Sequence, residues 1–544
     1  MRAGFFVLLL FGACAGPSWR KSPHDVPFQR TPPPVLHEAF ETRPSSEAVE
    51  VARHSAVRPL GGLVSPGAYA ERAGARRRAL DVNEFGQVTD SSWFTNRVSR
   101  RPWSAEELRQ GPNTIDGPAE GPLRILGGKI EGVAPGFVVE DQLGRRFVVK
   151  LDHPAYPGLG SGAEVVATKI LHALGYNVPE NYVVTFDLER LFLSEDASTA
   201  GKYGRRVPLD RKLLDDILSN ANPFPDGTVR ALFSRIIEGE VLGSFEFEGF
   251  RREDPNDRIP HERRRSLRAL RMFYAWLNNT DARSSNTLDV FIPSDAEGQL
   301  GSVRHYLLDF GDALGSAGTE PKYIAEGYEG LVDLEFMAYG LFSLGAYYRY
   351  WLPVQRSPFR SVGTFEAQVF DPAWWRPAIP NPAFQELAPQ DAYWAAVLMA
   401  RFSPDLVAAA VDAAGYDTNA RAWVLRVLLE RQFKLIRWGF GERLPLEDRR
   451  MDEVAVRWTD LAVELGLVDP GAQAYTCQLL TQKGGSEIQT HDRPLCELAP
   501  LHDQIMETRD PFMRLEVRRR DLTRAHVLHL RRTPAGLLPV AVRR

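Results

Sequence analysis

The sequence lacks three features: an excess of charge of either sign, a long internal apolar run, and more than a few cysteines. The 66 Lys and Arg residues face 70 Asp and Glu residues, and nothing in the net charge of -4 suggests a nucleic-acid partner. Beyond the first residues, no stretch is long and apolar enough to span a bilayer. The composition, 44% hydrophobic and 25% charged, is that of a soluble globular protein, and a length of 544 residues predicts two or more domains.

The N-terminus has the pattern of a signal peptide. A basic residue is followed by the short apolar run 4–13 and then by Cys14. Phe11-Gly12-Ala13-Cys14 resembles the bacterial lipoprotein box. That resemblance implies a signal peptide over residues 1–14, a lipid anchor at Cys14, and export to the periplasm or the outer membrane. Phe11 stands where Leu is usual, so ordinary cleavage nearby stays open, as does a disordered apolar tail on a cytosolic protein.

Residues 15–80 are predicted to form a disordered tether. They are rich in Pro, Ser, Arg and Glu, include Thr31-Pro32-Pro33-Pro34, and show no sustained period. Such a composition buries too little apolar surface to offset its conformational entropy. Order is expected to begin near Asp81, and the aromatic segment 91–97 is expected to pack on the first folded unit.

A β-rich region follows, with predicted strands at 123–126, 137–140 and 147–150. The loop between the first two is rich in glycine, which would let backbone N–H groups approach phosphate oxygens closely. An ordinary hairpin connection is the alternative. The candidate phosphate-binding residues are Gly127, Gly128, Lys129, Gly132 and Gly136.

Lys150 ends the third of these strands. An amine at the end of an apolar strand is costly unless it meets a carboxylate or a phosphate. Glu164 opens a helical pattern that stops at Gly175. A Lys of the third strand paired with a Glu of the next helix holds the α and β phosphates in protein kinases. A structural ion pair or two solvated charges are the alternatives, and Lys169 and Glu180 compete for the two roles.

The stretch 278–315 carries the most informative pattern. Asp281 is followed five positions later by Asn286, and then, after a strand-length gap, by Asp309-Phe310-Gly311. Phosphoryl-transfer enzymes of the protein-kinase type use this order, with the amide and the second carboxylate on metal ions. The alternative is that Asp281 and Asn286 cap a loop and that Asp309 begins a turn after a strand.

A helix is predicted over residues 261–277, directly before this stretch. Its apolar residues recur at helical spacing and predict a buried face. Its arginines are expected on a solvated face, with binding of a phosphorylated partner as the alternative. The strongly aromatic segment 330–352 is expected in the core. The arginines concerned are Arg263, Arg264, Arg265 and Arg268.

Taken in order, these elements resemble the atypical kinases of the protein-kinase-like superfold over roughly residues 120–440. The lead-in Asn279-Thr280-Asp281 is most similar to HipA-type kinases, whose loop reads Asn-x-Asp-x-His-x-x-Asn. Arg283 occupies the position of that His, and Thr280 stands where protein kinases usually carry Arg. Residues 81–97 together with this core also resemble a group of bacterial exported proteins.

The resemblance implies a role for each candidate residue. Lys150, held by Glu164, would contact the phosphates of ATP, and the backbone of residues 127–136 would cover them. Asp281 would be the catalytic base. Asn286 and Asp309 would hold Mg²⁺ or Mn²⁺. The acceptor, whether protein, glycan or small molecule, stays open.

The expected fold class is α+β, with a two-lobed protein-kinase-like architecture. Residues 81–250 would form an N-terminal extension and a β-rich small lobe, and residues 251–445 a helical large lobe. Residues 446–544 are expected to form a small β-rich module. That module holds Cys477 and Cys496, which would form a disulfide in an exported protein or stay two idle thiols in a cytosolic one.

Export conflicts with kinase activity because ATP is scarce outside the cytoplasm. Three resolutions stay open: ATP use in another compartment, transfer of a different group such as a nucleotidyl unit, or a non-catalytic role. In the last case the chain would be a pseudokinase-like exported lipoprotein that binds a partner or a nucleotide. A metal-dependent hydrolase using the Asp cluster is a further alternative.

Overall fold

The structure is a computed structural model that covers most of the chain. The predicted signal peptide, Cys14, and the loop residues Lys129 and Gly132 lie outside the residues that it describes. The described ranges are 33–43, 47–54, 78–128, 136–200, 206–219, 223–331, 334–344, 346, 348–469, 474–482, 484–534 and 536–544.

The described chain is mixed α+β, with its strands in four sheets. The strands are β1 Val35–Leu36, β2 Leu123–Gly128, β3 Gly136–Asp141, β4 Arg146–Leu151, β5 Asn181–Asp187, β6 Leu191–Ala200, β7 Arg206–Pro208, β8 Thr228–Arg235, β9 Glu240–Gly243, β10 Thr287–Pro293, β11 Leu300–Leu307, β12 Leu446–Met451, β13 Ala455–Asp460, β14 Tyr475–Thr481, β15 Gly484–Gly485, β16 Gln489–His491, β17 Leu495–Glu497, β18 Phe512–Arg519, β19 His526–Thr533 and β20 Gly536–Arg543.

The helices fall mainly in the middle of the chain. They are α1 Glu47–Ala52, α2 Ala105–Gln110, α3 Leu159–Leu174, α4 Arg211–Leu218, α5 Arg265–Leu277, α6 Leu334–Phe342, α7 Pro382–Gln385, α8 Pro389–Met399, α9 Pro404–Asp412, α10 Thr418–Phe440, α11 Leu461–Glu464 and α12 His502–Glu507.

Lys150 lies on an interior strand of a seven-stranded sheet. The strand order is β5-β8-β4-β3-β2-β6-β7, so β4 has a partner on each side. Lys150 lies opposite Gly136 on β3 and Leu232 on β8. The side chains of β4 alternate, with Phe147, Val149 and Leu151 in the core beneath the sheet. Lys150 therefore points to the opposite face.

Helix α3 supplies Glu164 and is almost entirely buried. It ends at the predicted residue, Gly175, which has φ 136° and donates to the carbonyls of Leu171 and His172. A Cβ at position 175 would lie 2.3 Å from the ring of Phe94. The predicted aromatic segment 91–97 thus packs on the end of α3, and glycine there permits the contact.

Lys169 of α3 is buried away from Lys150. Its side chain donates to the carbonyl of Gln110 at 2.7 Å, and the residue is 2% exposed. The other competing residue, Glu180, pairs with Arg235 at 2.9 Å. Both residues are therefore engaged outside the group around Lys150. Burial lowers the pKa of Lys169 to about 7, and only the nearby Glu180 works against that shift.

Helix α5 leads into the loop at 278–286. The carboxylate of Asp81, which lies 184 residues before Arg265 in the sequence, caps the first turn of α5. It accepts from the backbone N–H of Arg265 and from both the N–H and the hydroxyl of Ser266. The last residue, Leu277, is followed by Asn278 in the left-handed region with φ 51°. The helix is thus held at both ends by specific backbone contacts.

The arginines at the start of α5 correct the sequence prediction, because Arg264, which precedes the helix, and Arg265 and Arg268 within it are buried rather than solvated. Arg264 pairs with Asp257 at 2.8 Å and Arg265 with Asp391 at 2.8 Å. Arg268 is 0% exposed and approaches Asp391 at 3.5 Å. Their carboxylate partners come from other segments, so helical spacing alone could not reveal the pairing.

Part of the predicted tether packs against the folded chain. Strand β1 pairs with β11 and extends the sheet β1-β11-β10-β9. Arg43 pairs with Glu253 at 2.5 Å. These segments are short but carry residues with partners far along the chain, which composition averaged over 15–80 does not reveal.

The aromatic segment at 330–352 is only partly core. Trp351 and Phe336 are 1% and 5% exposed, as expected. Phe342 and Leu344, in contrast, are 84% and 95% exposed. The expectation that this whole segment is buried is therefore wrong.

The C-terminal residues form a three-stranded sheet, β12-β13-β17, and a six-stranded one that contains β14, β18, β19 and β20. Cys477 of β14 and Cys496 of β17 form a disulfide, with Cα atoms 5.6 Å apart. The bond joins the two sheets inside one shared core.

No single helix in the described residues is long and apolar enough to cross a membrane. The pair α8 and α9, bent by 78°, passes on length and composition when taken together.

The low pKa of Lys169 predicts a pH-dependent stability. Above pH 7 the folded chain loses this proton while the unfolded chain keeps it until about pH 10.5, so the unfolded state binds more protons. The free energy of unfolding should rise between pH 7 and 10, by at most about 1.4 kcal/mol per pH unit from this group. Urea titrations of wild type and Lys169→Met measure the slope. Lys169→Met should flatten it, and the exposed Lys212→Met should not. An unchanged slope in Lys169→Met would contradict the assignment.

The disulfide predicts sensitivity to reduction. Closing a loop of this size stabilises a fold by about 3 kcal/mol; the two cysteines are 19 residues apart. Replacing both with Ala should lower the free energy of unfolding by about that amount. A reductant should do the same to the wild type and leave the double variant unchanged. Equal stability of oxidised and fully reduced wild type would show that the bond contributes nothing.

Candidate active site

The hairpin of β10 and β11 returns the chain to the loop that precedes it. The N–H of Leu308 donates to the carbonyl of Asn286 at 2.9 Å. A few residues later, Leu314 donates to the carbonyl of Leu277 at 2.7 Å. These two bonds close the hairpin at its base, so Asp309 lies beside the loop that carries Asp281 and Asn286. The three residues, which are separated in the sequence, are thus close together in the fold.

Lys150 joins the predicted residues of three elements. Its Nζ lies 2.9 Å from Oδ1 of Asp309 and 3.3 Å from Oε2 of Glu164. Burial by itself lowers the pKa of Lys150, but the two carboxylates outweigh it and raise that pKa above the ordinary value of lysine. Burial raises the pKa of Glu164, and Lys150 offsets part of the shift. Phe310 supports the group, since its N–H donates to Glu164 and its ring is fully buried.

Asp281 and Asn286 are held together in the loop. The amide nitrogen of Asn286 donates to Oδ2 of Asp281 at 2.7 Å and to its backbone carbonyl at 3.0 Å. Because the nitrogen makes both bonds, the amide oxygen is the atom of Asn286 that remains to face a cation. Arg283 also binds Asp281, with its Nε 2.5 Å from Oδ1 and its Nη2 2.8 Å from Oδ2.

The two groups are electrostatic neighbours. Tyr274 of α5 is fully buried, and burial is the main cause of its raised pKa. The charges of Asp281 and Glu164 raise the pKa further, so both carboxylates act on the same side chain. Asp281 likewise raises the pKa of Asp312, which follows Asp309-Phe310-Gly311. The structure therefore brings together five of the predicted site residues, Lys150, Glu164, Asp281, Asn286 and Asp309.

Asp312 anchors the loop from the other side. It accepts from the N–H and hydroxyl of Thr280 at 3.2 and 2.9 Å and pairs with Lys322 at 2.6 Å. Burial raises the pKa of Asp312 to about 6, while Lys322 opposes the shift. Lys322 also donates to the carbonyl of Asn278. Asp312 thus fixes the backbone and side chain of Thr280, the residue next to Asp281.

Glu50 of α1 is a positioning residue that sequence reasoning missed. Its carboxylate accepts from the N–H of Ser284 at 2.8 Å and from the Ser284 hydroxyl at 2.6 Å. Both residues are buried. The sequence feature that could have pointed to Glu50 is the short helical pattern Glu47–Ala52, which lies inside the predicted tether. Nothing local links it to a loop 234 residues away.

Three of the candidate glycines are explained by close strand packing. A Cβ added at Gly127 would lie 2.3 Å from the carbonyl oxygen of Ser198. At Gly128 it would lie 2.3 Å from the hydroxyl of Thr199, and at Gly136 it would lie 2.1 Å from the carbonyl oxygen of Val149. These positions require glycine whatever the intervening loop binds. The phosphate-covering role of that loop stays a prediction, because residues 129–135 lie outside the described part of the chain.

The charges of the group around Lys150 favour a cation. Two carboxylates, Glu164 and Asp309, share one amine, and Asp281 lies close by. Carboxylate and amide oxygens are the ligands that Mg²⁺ and Mn²⁺ prefer. Asp309, which is 42% exposed on its side chain, is the carboxylate of the pair that solvent or a ligand can reach. The residues present fit a divalent cation held by Asp309 and Asn286.

No family model and no curated protein matches this sequence. Among solved structures, the crystal structure of the Golgi casein kinase with Mn/ADP bound is similar over 76% of this chain and 94% of its own, at 10% identity and a TM-score of 0.30. The structural similarity and the sequence identity are both low, so no role is assigned to residues of this chain from that structure.

Proposed function

We propose that this protein is a kinase-like phosphotransferase that uses ATP with Mg²⁺ or Mn²⁺ and has a two-lobed, protein-kinase-like architecture. The seven-stranded sheet with α3 would form the small lobe, and α5 with α7 to α10 the large one. The observation that carries the proposal is the contact of Lys150 with both Glu164 and Asp309. These residues come from a strand, a helix and a loop, and they are the three that the kinase pattern requires to meet.

The nucleotide would bind where Lys150 meets Asp309. Lys150 would contact the phosphates and Glu164 would hold the amine in place. Asp309 and the amide oxygen of Asn286 would hold the metal ion, which neutralises the charge that develops on the transferred phosphoryl group. Asp281 would orient the acceptor hydroxyl and accept its proton.

One observation favours a second candidate, a nucleotide-binding protein without transferase activity. Both carboxylate oxygens of Asp281 are engaged, by Arg283 and Asn286. Arg283 stands where HipA-type loops carry a His. A base whose oxygens are both committed to a guanidinium and an amide must exchange one of them before it can accept a proton.

We also propose that the protein is exported. The Cys477–Cys496 disulfide supports an oxidising compartment, because cytosolic thiols are normally kept reduced. The lipid anchor at Cys14 is part of this proposal and stays a prediction.

Nucleotide binding is tested by thermal shift. ADP with Mn²⁺ or Mg²⁺ should stabilise the wild type, by about 2.7 kcal/mol at a ligand concentration one hundred times Kd. Asp309→Asn should abolish the metal-dependent part of the shift, since it removes the charge that holds the cation and keeps the shape. The exposed Asp215→Asn is the matched control and should respond like the wild type. A shift of equal size in Asp309→Asn would rule out the proposed metal site.

Catalysis separates the two candidates. Asp281→Asn should keep the thermal shift with ADP and Mn²⁺, because Asp281 is not assigned to the metal or the phosphates. It should lower phosphoryl transfer from labelled ATP, to an added protein mixture or to the protein itself, by 100-fold or more. If the wild type binds nucleotide but transfers nothing above the rate of Asp281→Asn, the non-catalytic candidate is the correct one.

A further inference from the structure

A cavity of about 770 Å³ lies between α8, the segment 79–87 and the last strand, β20. It is remote in sequence from the residues of the candidate active site. We name it the arginine pocket after the residues that define it. These are Arg78, Arg265, Arg443, Arg524, Arg543 and Arg544.

The arginine pocket has an excess of positive charge. Six arginines face three carboxylates, Glu84, Asp391 and Glu447, along its walls. Two of those carboxylates are already paired, Asp391 with Arg265 at 2.8 Å and Glu447 with Arg544 at 2.8 Å. Paired charges cancel locally, so the remaining arginines set the sign of the potential in the cavity.

Three of the remaining arginines form no ion pair within the described part of the chain. Arg524 and Arg543 are exposed at the mouth of the cavity. Arg443 is different, because it is only 7% exposed and its Nε has no hydrogen-bond partner among the described residues. Burial and the charge of Arg524 both lower the pKa of Arg443, so the protein itself destabilises its charged form.

A second buried donor lines the same cavity. Trp394 is 2% exposed, and its indole N–H lacks a hydrogen-bond partner among the described residues. Buried donors are rarely left unsatisfied, because each costs free energy unless a ligand or water accepts from it. Two such donors beside an excess of guanidinium groups form a site that only acceptors can satisfy.

We propose that the arginine pocket binds a small polyanion, a molecule that carries two or more phosphoryl groups. Guanidinium groups match phosphate oxygens in geometry as well as charge. The volume is within the range of small-molecule sites. The ligand would contact α8 and β20 together, and so join the C-terminal sheets to the helical part of the chain. This site is separate from the proposed nucleotide site and does not depend on it.

The test uses inorganic pyrophosphate as the probe, with the full chain in metal-free buffer, so that the proposed metal site does not contribute. Isothermal titration should show binding at low salt, weaker binding of inorganic phosphate and tighter binding of tripolyphosphate. Arg524→Gln/Arg543→Gln changes two exposed residues, which should leave folding intact, and it should weaken pyrophosphate binding at least tenfold. Arg443→Gln should weaken it similarly.

The matched control is Arg520→Gln/Arg531→Gln, which removes the same charge from exposed positions outside the pocket. It should change the affinity less than twofold, as should Asp309→Asn in the candidate active site. Absence of pyrophosphate binding to the wild type would overturn the proposal. So would equal weakening by the control pair, which would reveal only a general effect of net charge.

Discussion

The structure depends most on the contact of Lys150 with Glu164 and Asp309. The amine of Lys150 and the carboxylate of Glu164 are largely removed from water, which is costly unless each is paired, and the more exposed Asp309 is the second partner of the amine. The contacts link strand β4, through Lys150, to α3 at Glu164 and to the residue Asp309 that follows the β10–β11 hairpin. The group still carries one more negative charge than positive charge, and a divalent cation would offset that imbalance.

The loop that carries Asp281 is held by residues from the whole length of the chain. Glu50 binds Ser284, Asp312 binds Thr280, and Lys322 binds the carbonyl of Asn278. The indole of Trp375 adds a bond to the side chain of Asn278 at 3.1 Å. So many partners on one short loop reduce its freedom before any ligand arrives, which is what a site that must position reacting groups requires.

Features that depend on neighbouring residues in the sequence could be predicted. The stop at Gly175, the helix before Asn278 and the β-rich character of residues 446–544 follow from turn residues and periodicity. The order of Lys150, Glu164, Asp281, Asn286 and Asp309 predicted residues that the structure brings together. What could not be predicted was long-range pairing outside that motif pattern. The burial of Arg265 and Arg268 depends on Asp391, and the role of Glu50 depends on Ser284. Similarly, the glycines of β2 and β3 suggested a phosphate loop, but the approach of neighbouring strands already requires them.

The contacts of Asp281 are compatible with the proposed function. Among the described residues, Lys150 pairs with Asp309 and Glu164, and Asp281 binds Arg283 and Asn286. Under the proposed function, phosphate oxygens would compete with Asp309 for Lys150, and the Asp309 carboxylate would become more available to a metal ion. The metal would also draw on the amide oxygen of Asn286, whose nitrogen can keep its bond to Asp281. Of the contacts described, only the one between Arg283 and Asp281 would then oppose proton transfer. Under the proposed function, the contact between Arg283 and Asp281 is therefore the one whose release would separate a transferase from a binding protein.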